Sequence, residues 1–450
     1  MSILCKVFVP YGALGTGITE ESFQNGINMR PDAIACDAGS TDSGPYYLGT
    51  GKCKYADETI RADFRRMIVA GRALQIPVLV GTAGTCGTDQ SVDHLFELCR
   101  EILTEEGLSA KVARIYCSQD STVLKEKYRN GDILPLKNAP KIDEDTFSRC
   151  TNIVGLAGAE PFKEALAEGA DIVICGRATD TAILAVVPLL RGALPGACWH
   201  AAKTAECGSL CTTDPSGGGV FLTFDEEGFI VEPTSSDSRC TPYSVSAHML
   251  YENANPYLLR EPSGELDTRN AVYTALDERR VKVTGSAFRP LDYTIKLEGS
   301  ALYGYQTMTV VGIKDERIMR APEKWLGQMK GYVLKRIGKL GLDPNGFELD
   351  FKLYGYNALS PAREGYVPEE IGIVMIVTAP TQELATRIAK LFNPYLLHFP
   401  VKLNEQLPTF ALLFSPAEIE KGPVYQFMLN HSVKVQSPME LFRIETEDIT

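Results

Sequence analysis

The first half of the chain alternates short apolar runs with longer stretches in which apolar residues return every three or four positions. Runs at Ile3–Val9, Ala33–Cys36, Pro77–Val80, Val112–Cys117, Asn152–Leu156 and Asp171–Cys175 read as strands. Glu58–Leu74, Ser91–Glu105, Pro161–Glu168 and Thr181–Leu190 read as helices. Val78-Leu79-Val80 and Ile172-Val173-Ile174 are continuously apolar, as in strands covered on both faces. Strands alternating with helices predict an α/β fold with a mostly parallel sheet flanked by helices. Beyond residue 230 the texture changes, and VEPTSSDSRCTP is polar and broken by prolines. Val281–Val283, Tyr293–Leu297 and Gln306–Val311 then alternate with period two, followed by Phe347–Tyr354, Gly372–Val377 and a helical Gln382–Leu391. Two domains are expected. One is an α/β domain over residues 1–235 with its working loops at strand C-terminal ends. The other is an α+β domain over 236–450 that completes a cleft, makes oligomer contacts, or does both.

Composition narrows the class. The chain has 450 residues, 44% hydrophobic and 23% charged, as in a folded protein with more than one core. A net charge of -12 argues against a nucleic-acid surface and against general attraction to anionic membranes. A small anionic substrate would have to be gathered by local cations. No apolar run approaches the roughly 20 residues that span a bilayer, and MSILCKVFVPYG lacks a leader pattern, so a cytoplasmic protein is expected. All twelve cysteines lie between Cys5 and Cys240, several inside apolar runs such as Cys36, Cys117 and Cys175. They read as buried thiols in a reducing compartment. Cys207 and Cys211, with His200 nearby, lack the second ligand pair of a structural zinc site.

In a parallel sheet, ligands bind outside the strand C-terminal ends. Five such ends carry Gly, Thr, Ser or Asp: YGALGTG (11–17), CDAGSTDSG (36–44), GTAGTCGTD (81–89), GLAGAE (155–160) and CGRATDTA (175–182). None is a GxGxxG or GxxxxGK[ST] phosphate loop in its proper context. Each loop alone could be an ordinary turn or cap; together they predict a polar cleft with Gly39, Ser40, Thr41, Gly81, Thr82, Gly84, Thr85 and Gly176 at its wall. Arg177 suits an anion clamp at a helix start, with a capping ion pair to Asp180 as the competing reading. Asp37 follows a buried strand and is a candidate acid/base. A divalent metal on Asp37, Asp42 or Asp89 is the cofactor expectation, the cofactor being otherwise unknown. Glu206, ahead of a triple glycine, His248, one of five histidines, and Asp180 are further catalytic candidates. Tyr243, and Lys296 with Glu298 on one face of a strand, complete the substrate-binding set. Cys86 is the thiol to watch if the reaction is hydrolytic.

TPYSVSAHMLYENANPYLLREPSG (241–264), RVKVTGSAFRPLDYTIKLEGS (280–300), CGRATDTA, the ECG beginning at Glu206 and LFSPAEIEKGPVYQFMLNHSV (413–433) resemble the acyclic terpene utilisation protein family over most of the chain. The resemblance implies a catabolic role on acyclic branched acids or their coenzyme A esters. Members often carry a longer glycine-rich start ending in an Asp-Arg pair; GALGTGITEES lacks it, and DAGSTDSGPYYLG suggests a distinct subgroup whose substrate need not be a terpenoid.

No nucleophile elbow and no redox-cofactor fingerprint is present. The expectation is therefore a proton-transfer enzyme: a hydratase or dehydratase, or an isomerase, acting on a small carboxylate or acyl-CoA. An acyl-binding or assembly subunit and a thioester or amide hydrolase are the alternatives. A homo-oligomer is expected, with a small companion subunit as one arrangement.

Overall fold

Ile3–Val9, Ala33–Asp37, Val78–Gly81, Ile172–Cys175 and Ala110–Tyr116 lie side by side in that order, all parallel. The structure is a computed structural model that describes residues 2–39, 43–216, 218–251, 253, 255–408 and 410–450. Antiparallel strands extend this parallel core on both sides. Val220–Asp225, Gly228–Pro233, Val281–Thr284 and Val272–Ala275 continue it at one edge, and Arg443–Ile449 closes the other. The expected mostly parallel sheet is thus corrected to a mixed α/β arrangement, because hairpin partners and the C-terminal strand add more antiparallel than parallel pairings. The apolar runs identified the buried centre but carried no information about strands recruited to its edges.

Helices Asp57–Leu74 and Asp89–Glu106 cover one face, packing Phe64, Met67, Val92 and Ile102 against Ile34, Val78 and Val80. Helices Ala159–Ala167, Asp180–Leu190 and Pro195–Ala205 cover the other, with Phe162, Ile183, Val186 and Trp199 against Leu79 and Val173. Burial on both faces explains why the central strands read as unbroken apolar runs.

Asn152–Gly155 departs from the expectation. It leaves the central sheet and pairs antiparallel with Leu297–Ser300, inside the long strand Thr294–Ile313.

Chain contacts divide the protein into two compact units, Met1–Ala301 with Phe427–Thr450, and Leu302–Gln426. Residues 236–301 fall in the first unit, where Val272–Ala275 and Val281–Thr284 extend its main sheet. Leu258–Glu261, Gly264–Asp267 and Ala287–Pro290 form a small separate sheet there. The second unit pairs Tyr305–Ile313 with Ile371–Ala379, and the latter with Glu348–Tyr354. Helices Pro322–Lys339 and Gln382–His398 cover its sheet, burying Met329, Val333, Ile388 and Phe392 with Ile373, Met375 and Val377. Among the described residues no helix is long and apolar enough to cross a membrane.

Candidate active site

The parallel core brings strand ends together, and their loops are stitched by main-chain hydrogen bonds. Asp37 is level with Gly81, and Ala38 N–H donates to the Gly81 carbonyl at 2.7 Å. Ala83 N–H reaches the Cys175 carbonyl at 3.0 Å. Ala157 N–H donates to the Arg177 carbonyl at 2.9 Å and Thr179 N–H to the Ala157 carbonyl at 3.0 Å. The loop after Gly155 therefore joins the group even though its strand belongs to another sheet. Two glycines are required by these close approaches. A Cβ on Gly39 would sit 2.3 Å from the Thr85 Cα, and one on Gly87 would sit 2.3 Å from the Arg177 nitrogen.

The loop after Val78–Gly81 is strained. Thr82 and Thr85 have φ of 54° and 78°, a region that β-branched residues avoid. Such conformations cost about 1–3 kcal/mol each and persist where their surroundings impose them. At Thr82 the strain places a hydroxyl between Arg177 and Asp37. It accepts from Arg177 Nη1 at 3.0 Å and donates to the Asp37 carboxyl.

Arg177 is the centre of this network and is almost wholly buried. Its Nε donates to Glu298 Oε2 at 3.1 Å, and its Nη1 lies 3.6 Å from Asp180 Oδ1. Lys296 Nζ holds the other oxygen of Glu298 at 2.8 Å. Burial works against the Glu298 charge, yet Arg177 and Lys296 keep its pKa at about 2. Burial likewise opposes the Arg177 charge, and Glu298, Asp180 and Asp37 more than offset it. Asp37 behaves oppositely: burial, reinforced by Asp180, pushes its carboxyl well above the ordinary range despite Arg177. Of the three acids around Arg177, Glu298 is held as a carboxylate while Asp37 is shifted the opposite way.

A second group adjoins the first. Glu206 caps the helix Pro195–Ala205 and is held by Lys203. Burial pushes Glu206 up to about 8 against the pull of Lys203. Glu261 accepts the Thr181 hydroxyl at 2.9 Å on each oxygen and is also pushed by burial to about 8. Asp180 raises both electrostatically. His248 ends the helix Pro242–His248, whose start is fixed by a capping box between Thr241 and Ser244. Burial, with Lys203 adding to it, lowers His248 to about 4, so the imidazole is neutral. Its Nε2 is buried without a hydrogen-bond partner, an omission that costs about 1–3 kcal/mol. The oxygen, sulfur and nitrogen of Glu206, Cys207 and His248 lie within 4.8 Å of one another.

The structure thus places Asp37, Thr82, Arg177, Asp180, Lys296 and Glu298 in one network, with Glu206 and His248 in the adjoining group. Gly39, Gly81, Gly84, Thr85 and Gly176 support it from the loop walls. Gly81 packs on Ile183, Gly84 on Cys53 and Ser91, and Gly176 on the Gly87 carbonyl. Arg177 meets protein carboxylates, Asp180 of the capping-pair reading among them together with Glu298. Tyr243 is 83% exposed at the surface. Ser40, Thr41 and Asp42 lie outside the described residues. Asp89 spends one oxygen on the main-chain N–H groups of Cys117 and Ser118, at 3.1 and 2.9 Å. Among the described residues, Asp37 and Asp89 do not form a three-ligand group. The glycine loop after the first strand turns two amides to Asp63, with Gly15 and Gly17 at 2.9 and 3.0 Å from its Oδ2. His200 is held by Ser286 at 2.7 Å and Tyr273 at 3.0 Å, a satisfied core histidine. Cys86 is buried beside Thr88 and Ser91. Lys203, Thr181 and Glu261 were not singled out from the sequence. Lys203 had one signal, its three-residue spacing from Glu206 at a helix end.

Surface clefts of about 700 and 790 Å³ lie in the 302–426 unit, along residues 356–367 and beside Gly312, Tyr354 and Gly372. Neither is lined by the groups with shifted acidity described above.

A family model described as acyclic terpene utilisation family protein AtuA matches residues 51–190 and 223–409. The chain belongs to this family. The match contains Thr82, Arg177, Asp180, His248, Glu261, Lys296 and Glu298, and leaves out Asp37, Lys203, Glu206 and Cys207. A search of the curated proteins and a search of the solved structures give no match.

Proposed function

We propose that the protein is a proton-transferring enzyme of acyclic terpene utilisation, a hydratase or dehydratase, or an isomerase, acting on a small acyclic carboxylate or its coenzyme A thioester. Family membership supports the pathway. The observation that carries the reaction class is Asp37: a buried carboxyl at a strand end, pushed by burial well above the ordinary carboxylate range and joined through the Thr82 hydroxyl to Arg177.

A carboxyl shifted towards its protonated form beside a fixed cation suits proton donation to a carbon of an unsaturated acid, the carboxylate then regaining a proton from the water that adds or, in an isomerisation, from another carbon of the substrate. Arg177 would stabilise the Asp37 carboxylate once the proton has left. Thr82 would transmit that change, since its hydroxyl already contacts both. Lys296, with a side chain 39% exposed, is the cation of this network best able to meet a substrate carboxylate.

The test is an assay of the purified protein with α,β-unsaturated and β-hydroxylated acyclic acids, free and as coenzyme A esters. Hydration, dehydration or double-bond migration supports the reading. Ligand binding without turnover, with activity appearing after a companion protein is added, replaces it with an assembly subunit. A covalent acyl adduct replaces it with a hydrolase.

A further inference from the structure

We propose that Glu206, Cys207 and His248 form a site for a single divalent transition-metal ion of the zinc type, with a coordination position left for water or a substrate oxygen. These side chains offer a carboxylate oxygen, a thiol sulfur and an imidazole nitrogen within 4.8 Å of one another. Among the described residues, no other three His, Cys, Asp or Glu side chains do so. Zinc holds such atoms at about 2.0–2.3 Å, which sets neighbouring ligands roughly 3.5 Å apart in a tetrahedron. Contraction by about an ångström closes the set around an ion of that size.

A second observation points to a ligand independently of the cluster. His248 is only 5% exposed, and its Nε2 is buried with no hydrogen-bond partner. A buried nitrogen without a partner is an unfilled demand. A neutral imidazole with one open nitrogen is the common form of a metal-binding histidine.

The local structure fits a prepared site. Lys203 holds Glu206 Oε1, which orients the carboxylate and leaves its second oxygen for an ion. Cys207 is pinned from behind by Gly12, where a Cβ would sit 2.6 Å from the Cys207 carbonyl carbon. Gly208, with φ of 60°, fits against the Gly12 nitrogen in return. Asp180 and Glu261 act electrostatically on Glu206, so acids surround the one nearby lysine. A mixed sulfur, nitrogen and oxygen set selects zinc, iron(II) or cobalt(II) over magnesium and calcium, which take oxygen ligands. Three protein ligands with a vacancy is the pattern of a metal site that meets substrate. This set differs from the Asp37, Asp42 and Asp89 group suggested by the sequence.

The inference is independent of the reaction class, because its readout is metal content and ligand identity rather than turnover. The full chain is stripped with a chelator and titrated with Co²⁺ alone. The expected result is one Co²⁺ per chain with a thiolate-to-cobalt charge-transfer band in the near ultraviolet. Cys207→Ser should abolish the band, and His248→Gln and Glu206→Gln should each weaken Co²⁺ binding by about tenfold or more. X-ray absorption of the zinc-loaded wild-type protein needs no variant and should show one sulfur among nitrogen and oxygen neighbours. Absence of stoichiometric Co²⁺ binding, a band unchanged in Cys207→Ser, or a zinc shell with no sulfur or more than one overturns the proposal.

Discussion

Arg177 Nε meets Glu298 Oε2 at 3.1 Å although the two residues are 121 positions apart. Both side chains are 5% exposed. This buried pair ties residues 294–301, at the start of the strand Thr294–Ile313, to the loop that follows Ile172–Cys175. Removing one member strands the other charge, whereas replacing both with apolar groups does not. Arg177→Ala should lower unfolding free energy by about 3–5 kcal/mol. The double variant Arg177→Met with Glu298→Leu should lose less than the sum of its single changes, read by urea denaturation. Additive losses would show that the pair is not coupled. Lys296→Ala, on the exposed side of the same carboxylate, should cost only about 0–1 kcal/mol.

Gly87 and Gly107 provide a matched comparison, because both have positive φ, 69° and 62°. At Gly107 nothing lies within 4 Å of an added Cβ, while at Gly87 the Arg177 nitrogen lies at 2.3 Å. Gly107→Ala should cost about 1–2 kcal/mol, the price of a left-handed alanine. Gly87→Ala should cost clearly more and reduce activity, since Arg177 must shift. Equal losses in thermal or urea unfolding would contradict the close approach.

Glu261 gives a pH dependence with a defined sign. Burial is the largest influence and raises its pKa from 4.5 to about 8, with Asp180 adding to this and Thr181, Lys203 and Thr179 opposing it. The folded state therefore holds a proton that the unfolded state releases. The associated stability is complete below pH 4.5 and is lost as pH rises towards 8. Its slope is at most about 1.4 kcal/mol per pH unit. Urea unfolding across this range should show a shallower decline for Glu261→Gln than for the wild type. Parallel curves would contradict the assignment.

Much of the first unit was legible because central strands buried on both faces must be apolar throughout. Ile172–Cys175 and Val78–Gly81 could hardly be anything else. Arg443–Ile449 was not, since RIETEDI lies at an edge with only Ile449 fully buried and carries the charges of a surface segment. Asn152–Gly155 has the same apolar run as its neighbours, and a run alone does not specify which sheet it joins. In the site, Arg177, Asp180 and the Lys296–Glu298 spacing stood out as charges beside buried strands. Lys203 and Glu261 did not, because a buried lysine or glutamate looks like a surface one until its partner is known. The positive φ of Thr82 was hidden for the opposite reason: threonine gives no warning of a conformation it avoids.

Solvent deuterium incorporation into an acyclic α,β-unsaturated acid or its coenzyme A ester, followed by mass spectrometry under single-turnover conditions, tests Asp37 most directly. The wild-type protein should place deuterium from D₂O at a carbon of the substrate, and Asp37→Asn, folded to the same melting profile, should slow this by about 100-fold or more. Equal incorporation by the two proteins would remove Asp37 as the proton carrier.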